Sequence, residues 1–177
     1  DTFGQITEKQ KQATAQIIDS THYLNAMINE LLDEAQIEAK TIILNSKPVS
    51  PSAFLEQVNT KMAVVAQKKG LAFSAQIDPE MPQTLLGDEM RLQQMLINLI
   101  GNAIKFTREG EVRVRLYRAD QRRWAMEVAD TGIGIPDEAQ GYIFEAFRQV
   151  DASATREQRG TGLGLSIVKH LTELMGG

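Results

Sequence analysis

Four polar residues, Gln94, Asn98, Asn102 and Lys105, step by four, four and three through an otherwise apolar stretch. On a helix that spacing puts them on one line. Asparagine is a poor helix-interior residue because its amide competes for the backbone, so two of them four apart need an explanation. One is a polar, solvated face. The other is a face that lines a ligand site and offers amide oxygens to a metal and a cation to a phosphate. Downstream stand two glycine clusters, DTGIGIP beginning at Asp130 and GTGLGL beginning at Gly160. The second opens a helical pattern with apolar residues at Leu163, Leu165, Ile167, Val168, Leu171, Leu174 and Met175. Backbone N–H groups at such a helix start are suited to phosphate oxygens. Between the clusters lie an apolar-aromatic segment, IFEAFRQV, and a polar run, DASATREQR. The layout is that of two jaws of a nucleotide site, with residues 150–159 as a lid expected to order with nucleotide.

These residues need elements to hold them. Asp88 is placed to cap a helix over 89–106 whose buried face carries Leu92, Met95, Leu96, Leu99, Ile100 and Ala103. Strands at 112–116 and 124–128, joined by ADQRR, read as an antiparallel hairpin with one buried face, and the second strand runs into Asp130. Upstream, Ser52 is the expected cap of a helix carrying Phe54, Leu55, Val58, Met62, Val65 and Ala66 and ending at Gly70. An alternating strand follows at 71–77, then a loop through DPEMPQ and a brief strand at 84–86. Lys47-Pro48 through Pro51 reads as a break, with a domain boundary between 40 and 50. Residues 7–40 contain no proline or glycine, and Ile17, Thr21, Leu24, Ile28, Leu31 and Ala35 alternate steps of four and three as a heptad seam. A helix of that length spans roughly 45 Å at 1.5 Å per residue. Ile18, Met27 and Leu32 widen the stripe, which suggests a bundle of several helices, formed with a missing neighbour or by dimerisation. The plainer reading is one long helix packed along its own domain.

Composition narrows the classes of function. A chain of 177 residues with 42% hydrophobic content can bury a core, and we expect one domain with an appendage. Net charge −4 argues against a nucleic-acid or membrane-surface partner. With no cysteine, thiolate metal sites, disulfides and cysteine nucleophiles are excluded. No apolar run approaches the ~18 residues of a membrane span, and no signal-peptide layout opens the chain. The expected location is cytoplasmic, within a larger parent protein.

Taken in order, the Asn98/Asn102/Lys105 helix, DTGIGIP at a strand end, IFEAFRQVD and GTGLGL closely resemble the N box, first glycine box, phenylalanine box and second glycine box of the sensor histidine kinases of two-component systems. GDEMRLQQMLINLIGNAIKFT is similar to the N box, and the first forty residues are similar to the second helix of that family's dimerisation hairpin. The family shares its ATP-binding fold with gyrases, mismatch-repair ATPases and certain chaperones. The resemblance therefore implies an α+β, two-layer sandwich, a Bergerat-type mixed sheet covered by helices, preceded by a long helix of a dimerisation bundle. It divides the chain into a partial hairpin at 1–43 and an ATP-binding catalytic domain at 44–177.

It also implies roles. Asp130 is the adenine-reading residue, a buried carboxylate accepting from the exocyclic amine, which guanine with its carbonyl cannot supply. Gly132 and Gly134 let backbone approach the base, and Ile135 packs on it. Asn102 is the Mg2+ ligand, a hard oxygen donor suited to an ion that also binds phosphate. Lys105 faces phosphate, and Gly160, Thr161, Gly162, Leu163, Gly164 and Leu165 close over the phosphate chain. Asn98 stands where ATP-hydrolysing relatives carry a glutamate as general base; an amide cannot take that proton, which favours transfer to a nucleophile over hydrolysis. The implied function is the ATP-binding catalytic core of a histidine kinase, passing the γ-phosphoryl to a histidine of the dimerisation domain and onward to an aspartate of a response regulator or fused receiver domain. The implied partners are ATP with Mg2+, a second copy through the helical bundle, and that regulator.

The sequence departs from the pattern in places. Gln149 stands where many members have arginine, which leaves Arg148, Arg156 and Arg159 as candidates for phosphate. The phosphoacceptor motif is absent: His22 sits on the second-helix match, and His170 on the last helix reads as surface or packing. The family continues past MGG into two more strands. An inactive, kinase-like nucleotide-binding regulatory module is the alternative; an ATP-driven clamp or chaperone is disfavoured by Asn98.

Overall fold

The computed structural model describes residues 6–149 and 161–177, without the side chains of Asp19 and His22. It divides into two compact units, Asp1–Thr41 and Ile42–Gly177.

The first unit is one helix, α1 (Glu8–Glu38). Thr7 and Gln10 close a capping box at its start, the Gln10 N–H donating to Thr7 Oγ1 (3.3 Å) and the Thr7 N–H to Gln10 Oε1 (2.9 Å). Its end is a Schellman motif: the Lys40 and Thr41 N–H groups donate to Ile37 O and Gln36 O. Lys40 takes the left-handed position usually held by glycine, with φ 53°. The heptad positions Ile17, Leu24, Ile28 and Leu31 are all exposed.

The second unit is an α+β sandwich. Helix α2 (Pro51–Lys68) is capped by Ser50, not Ser52, because Pro51 occupies the first helical position and the cap must precede it. Gly70, at φ +76°, ends it as expected. The break expected at 47–51 instead begins as a strand: β1 (Lys47–Val49) pairs antiparallel with β3 (Leu85–Gly87). Pro48 is tolerated there because the sheet has two strands and a proline at an edge breaks no central ladder.

The main sheet has the order β2-β4-β5, from β2 (Ala72–Ile77), β4 (Glu111–Arg118) and β5 (Trp124–Asp130). It is mixed: β2 runs parallel to β4, and β4 antiparallel to β5. Parallel neighbours need a long crossover. Helix α3 (Glu89–Phe106) supplies it, capped by Asp88, whose carboxylate accepts from the Arg91 and Asn45 N–H groups. The β4–β5 hairpin closes on Asp120, which accepts from the N–H groups of Arg122 and Arg123 (both 2.8 Å).

Val112, Val114 and Leu116 on β4 are buried while Arg113 and Arg115 between them are exposed, so one sheet face is covered and the other open. The core joins that face to Phe54, Val58, Leu96, Ile100, Ile167 and Leu171 of α2, α3 and α5 (Gly164–Leu174). Leu99 is half-buried and Leu174 exposed, at the edges of stripes drawn too wide from the sequence. A short helix α4 (Asp137–Gln140) follows the first glycine cluster.

Candidate nucleotide-binding site

Gln94, Asn98, Asn102 and Lys105 are all half-buried, so their line on α3 is not an open solvated face. Asn98 Nδ2 donates to Gly164 O (3.3 Å), which fastens the polar face of α3 to the second glycine cluster. The side-chain amide of Asn102 has no hydrogen-bond partner among the described residues. Its oxygen is a hard donor left over on a half-buried face, which fits a cation that takes few protein ligands and shares phosphate oxygens and water. No group of three or more His, Asp or Glu side chains suited to a metal occurs among the described residues. Lys105 has its Nζ 4.9 Å from the Phe106 ring centroid, and partial burial pushes its pKa below the ordinary lysine value.

The last turn of α3 is held from α2: Lys69 Nζ donates to Ile104 O (2.5 Å) and Lys105 O (2.8 Å), a cation on carbonyls that lack helix partners. Phe106 O in turn accepts from the Ile133 N–H (3.4 Å). The end of α3 is thereby joined to the first glycine cluster. A Cβ on Gly132 would lie 2.7 Å from Phe106 O and 2.8 Å from Asp130 Oδ1, so glycine is required by close approach. Gly134 meets nothing within 4 Å and needs glycine for its backbone, at φ +71°.

Asp130, Gly132, Gly134 and Ile135 line one groove of about 490 Å³ together with Gln140, Ile143 and Phe144. Asp130 is exposed, not buried, because β5 delivers it as its last residue at the groove's mouth. Its Oδ1 accepts from the Gly132 N–H (2.8 Å), and its Oδ2 accepts nothing among the described residues. Ile133 and Phe144 add exposed apolar surface beside Ile135. Gln140, Ile143 and Phe144 are not among the site residues expected from the sequence, although Ile143 and Phe144 open the IFEAFRQVD segment that resembles the phenylalanine box.

That segment reaches the second glycine cluster through its backbone. The Phe147 N–H donates to Gly162 O (3.0 Å), and a Cβ on Gly162 would lie 3.0 Å from the Phe147 carbonyl carbon. Phe147 itself is left-handed at φ 63°. Thr161 Oγ1 accepts from the Leu163 N–H (3.2 Å), while no side chain caps α5. The Leu163 side chain belongs to the core and Leu165 is half-buried. Arg148 pairs with Glu145 (3.0 Å) and lies over Tyr142, a local arrangement. Gly160, Arg156, Arg159 and the lid at 150–159 lie outside the described residues, as does the His22 side chain. His170 is half-buried, and its Nδ1 has no hydrogen-bond partner among the described residues.

A second groove, about 430 Å³, crosses the open sheet face. Its arginines are paired, Arg113 with Glu111 (3.4 Å) and Arg115 with Asp78 (3.2 Å), which leaves the Glu127 carboxylate as the charge without a partner among the described residues there. The glycine-lined groove gathers Asp130, Gly132, Gly134 and Ile135 of the expected residues, while Asn98, Asn102, Lys105 and residues 161–165 do not line it. No helix among the described residues is long and apolar enough to cross a membrane.

The model of a family described as histidine kinase-, DNA gyrase B- and HSP90-like ATPase matches residues 87–177. The chain is 40% identical over 177 residues to the signal transduction histidine-protein kinase BarA of Escherichia coli strain K12, across 98% of this chain and 19% of that protein. It is 39% identical over 182 residues to the circadian input-output histidine kinase CikA of Synechococcus elongatus, across 99% of this chain and 23% of that protein. The chain thus spans about a fifth of the length of these relatives. Among solved structures, full-length ShkA in complex with AMPPNP superposes with a TM-score of 0.82 at 36% identity, covering 98% of this chain and 35% of that one.

Proposed function

Because this chain belongs to the histidine kinase-, DNA gyrase B- and HSP90-like ATPase family, we propose that it is the ATP-binding catalytic core of a sensor histidine kinase. One observation carries the reading: the polar face of α3 is bonded through Asn98 to the second glycine cluster, while the end of α3 is bonded through Phe106 to the first. A single helix therefore underlies both ends of one nucleotide. The adenine amine donates to Asp130 Oδ2 while the ring packs on Ile135 and Phe144. Gly162 and Gly164 bring backbone N–H groups to the phosphates, and Lys105 adds a positive charge. Asn102 would hold Mg2+, which when bound would neutralise phosphate charge. Asn98 offers no base to water, so the γ-phosphoryl is kept for an imidazole nitrogen. That nitrogen forms the new P–N bond, ADP leaves, and the phosphoryl passes on to a response-regulator aspartate.

In this reading residues 1–43 are the second helix of a dimerisation hairpin, and the exposed heptad seam of α1 is covered by a second copy and by the helix that carries the acceptor. Residues 44–177 are the catalytic domain. The test is to incubate the chain and γ-labelled ATP with a polypeptide bearing that helix and its histidine. Acid-labile label on the histidine is the expected result. ATP binding without any transfer would make the chain a regulatory module, and steady turnover without the acceptor would make it a hydrolase.

The lowered pKa of Lys105 gives this reading a pH signature. Phosphate favours the charged ammonium, so binding takes up a proton wherever the free lysine has lost one. ATP affinity is expected to hold at neutral pH and to weaken as pH rises through a value below the ordinary lysine range. Lys105→Arg, which stays charged, should flatten the profile in the same calorimetric titration.

A further inference from the structure

The residue that ends α3 is a threonine with an unusual placement. Thr107 is the C-cap, with extended φ −94° and ψ 120°, and it is 0% exposed. Among the described residues its hydroxyl has one partner, Asp130 Oδ1, at 3.5 Å. A valine of the same shape would fill the space without the cost of desolvating a hydroxyl. Packing alone therefore does not account for threonine.

Its partner does. Oδ1 of Asp130 is approached from two sides, by the Gly132 N–H at 2.8 Å and by the Thr107 hydroxyl, while Oδ2 accepts nothing among the described residues. The Gly132 N–H holds this oxygen, and the Thr107 hydroxyl stands where a second bond to it would fix the rotation of the carboxylate about its own bond. The other oxygen is then aimed into the groove lined by Gly132, Gly134 and Ile135 as a pure acceptor. At 3.5 Å the Thr107 contact is longer than a formed hydroxyl–carboxylate hydrogen bond, so the role of Thr107 requires it to shorten when a nucleotide is seated. We propose that Thr107 is a specificity-determining positioning residue, which selects a base bearing an exocyclic amine over one bearing a carbonyl by holding Asp130 in its acceptor orientation. The assignment rests on the nucleotide reading above and names how that site discriminates.

The 177-residue chain is titrated with ATP and with inosine triphosphate, which differs at the position facing Asp130, for wild type, Thr107→Val and Thr107→Ser. Thr107→Val is expected to weaken ATP about ten-fold and to leave inosine triphosphate unchanged, so the preference falls about ten-fold; serine restores ATP to within about two-fold. Equal weakening of both nucleotides, failure of serine to restore, ATP binding unaffected by valine, or a valine variant that no longer folds would each overturn the proposal. Asp130→Asn is titrated alongside, and unchanged ATP affinity in that variant would locate the failure in the adenine reading itself and not in Thr107.

Discussion

Asp130→Asn is expected to weaken ATP about a hundred-fold while leaving the fold intact. The asparagine is the same size, and its amide oxygen can accept from the Gly132 N–H as Oδ1 now does at 2.8 Å. That bond leaves the NH2 group pointing where Oδ2 was. A donor then faces the exocyclic amine, also a donor. The loss is a hydrogen bond to a charged acceptor plus a donor set against a donor, on the order of 2–4 kcal/mol. Asp130 is exposed at the end of β5, so the unliganded protein gives up little. Its unfolding midpoint in urea should stay near wild type, and calorimetry should find ATP binding nearly gone. Inosine triphosphate, with a carbonyl to accept from the new NH2, should gain relative to ATP. ATP affinity equal to wild type would remove Asp130 from base recognition.

The sequence made some of this legible because the chemistry was local. The line from Gln94 to Lys105 follows from helix period alone, and so does the buried face of α3. The alternation of β4 and the capping role of Asp88 were likewise readable from neighbours in the chain. The parallel pairing of β2 with β4 was not, since no local pattern says which strand a crossover returns to. The strand at Lys47–Val49 was hidden by Pro48, a residue that only an edge position excuses. Ser52 follows the proline and so looks like a cap, but proline is at home in the first helical turn, which moves the cap back to Ser50. The groove was half legible. Glycine clusters announce close backbone approach, but nothing local says that Gln140 at the end of α4, and Ile143 and Phe144 of the phenylalanine-box segment after it, fold back onto the first cluster to line the same groove. The exposure of Asp130 was out of reach, because it depends on where β5 stops within the sheet.

Gly132→Ala tests the other half of that geometry, and it should damage stability and binding together. The new methyl would sit 2.7 Å from Phe106 O, 3.0 Å from Phe106 C and 2.8 Å from Asp130 Oδ1. Two of those atoms are backbone, and that backbone is fastened. Lys69 binds the carbonyls of Ile104 and Lys105, and the Thr107 N–H is tied to Ala103 O at 3.0 Å. Helix α3 cannot retreat without losing these bonds, so the loop must move, and with it the Gly132 N–H that orients Asp130 and the Ile133 N–H on Phe106 O. Overpacking of this kind costs about 1–3 kcal/mol. Gly134→Ala is the control. Its Cβ meets nothing within 4 Å, and its cost is the left-handed backbone alone, about 1–2 kcal/mol, with no contact to α3 disturbed. Urea unfolding should therefore rank Gly132→Ala below Gly134→Ala. Nucleotide titration should separate them further, with binding lost in the first and weakened in the second. A Gly132→Ala protein with wild-type stability and ATP affinity would mean that the end of α3 and the first glycine cluster are not locked together, and the site would then lack the rigid link between its adenine and phosphate ends on which the kinase reading depends.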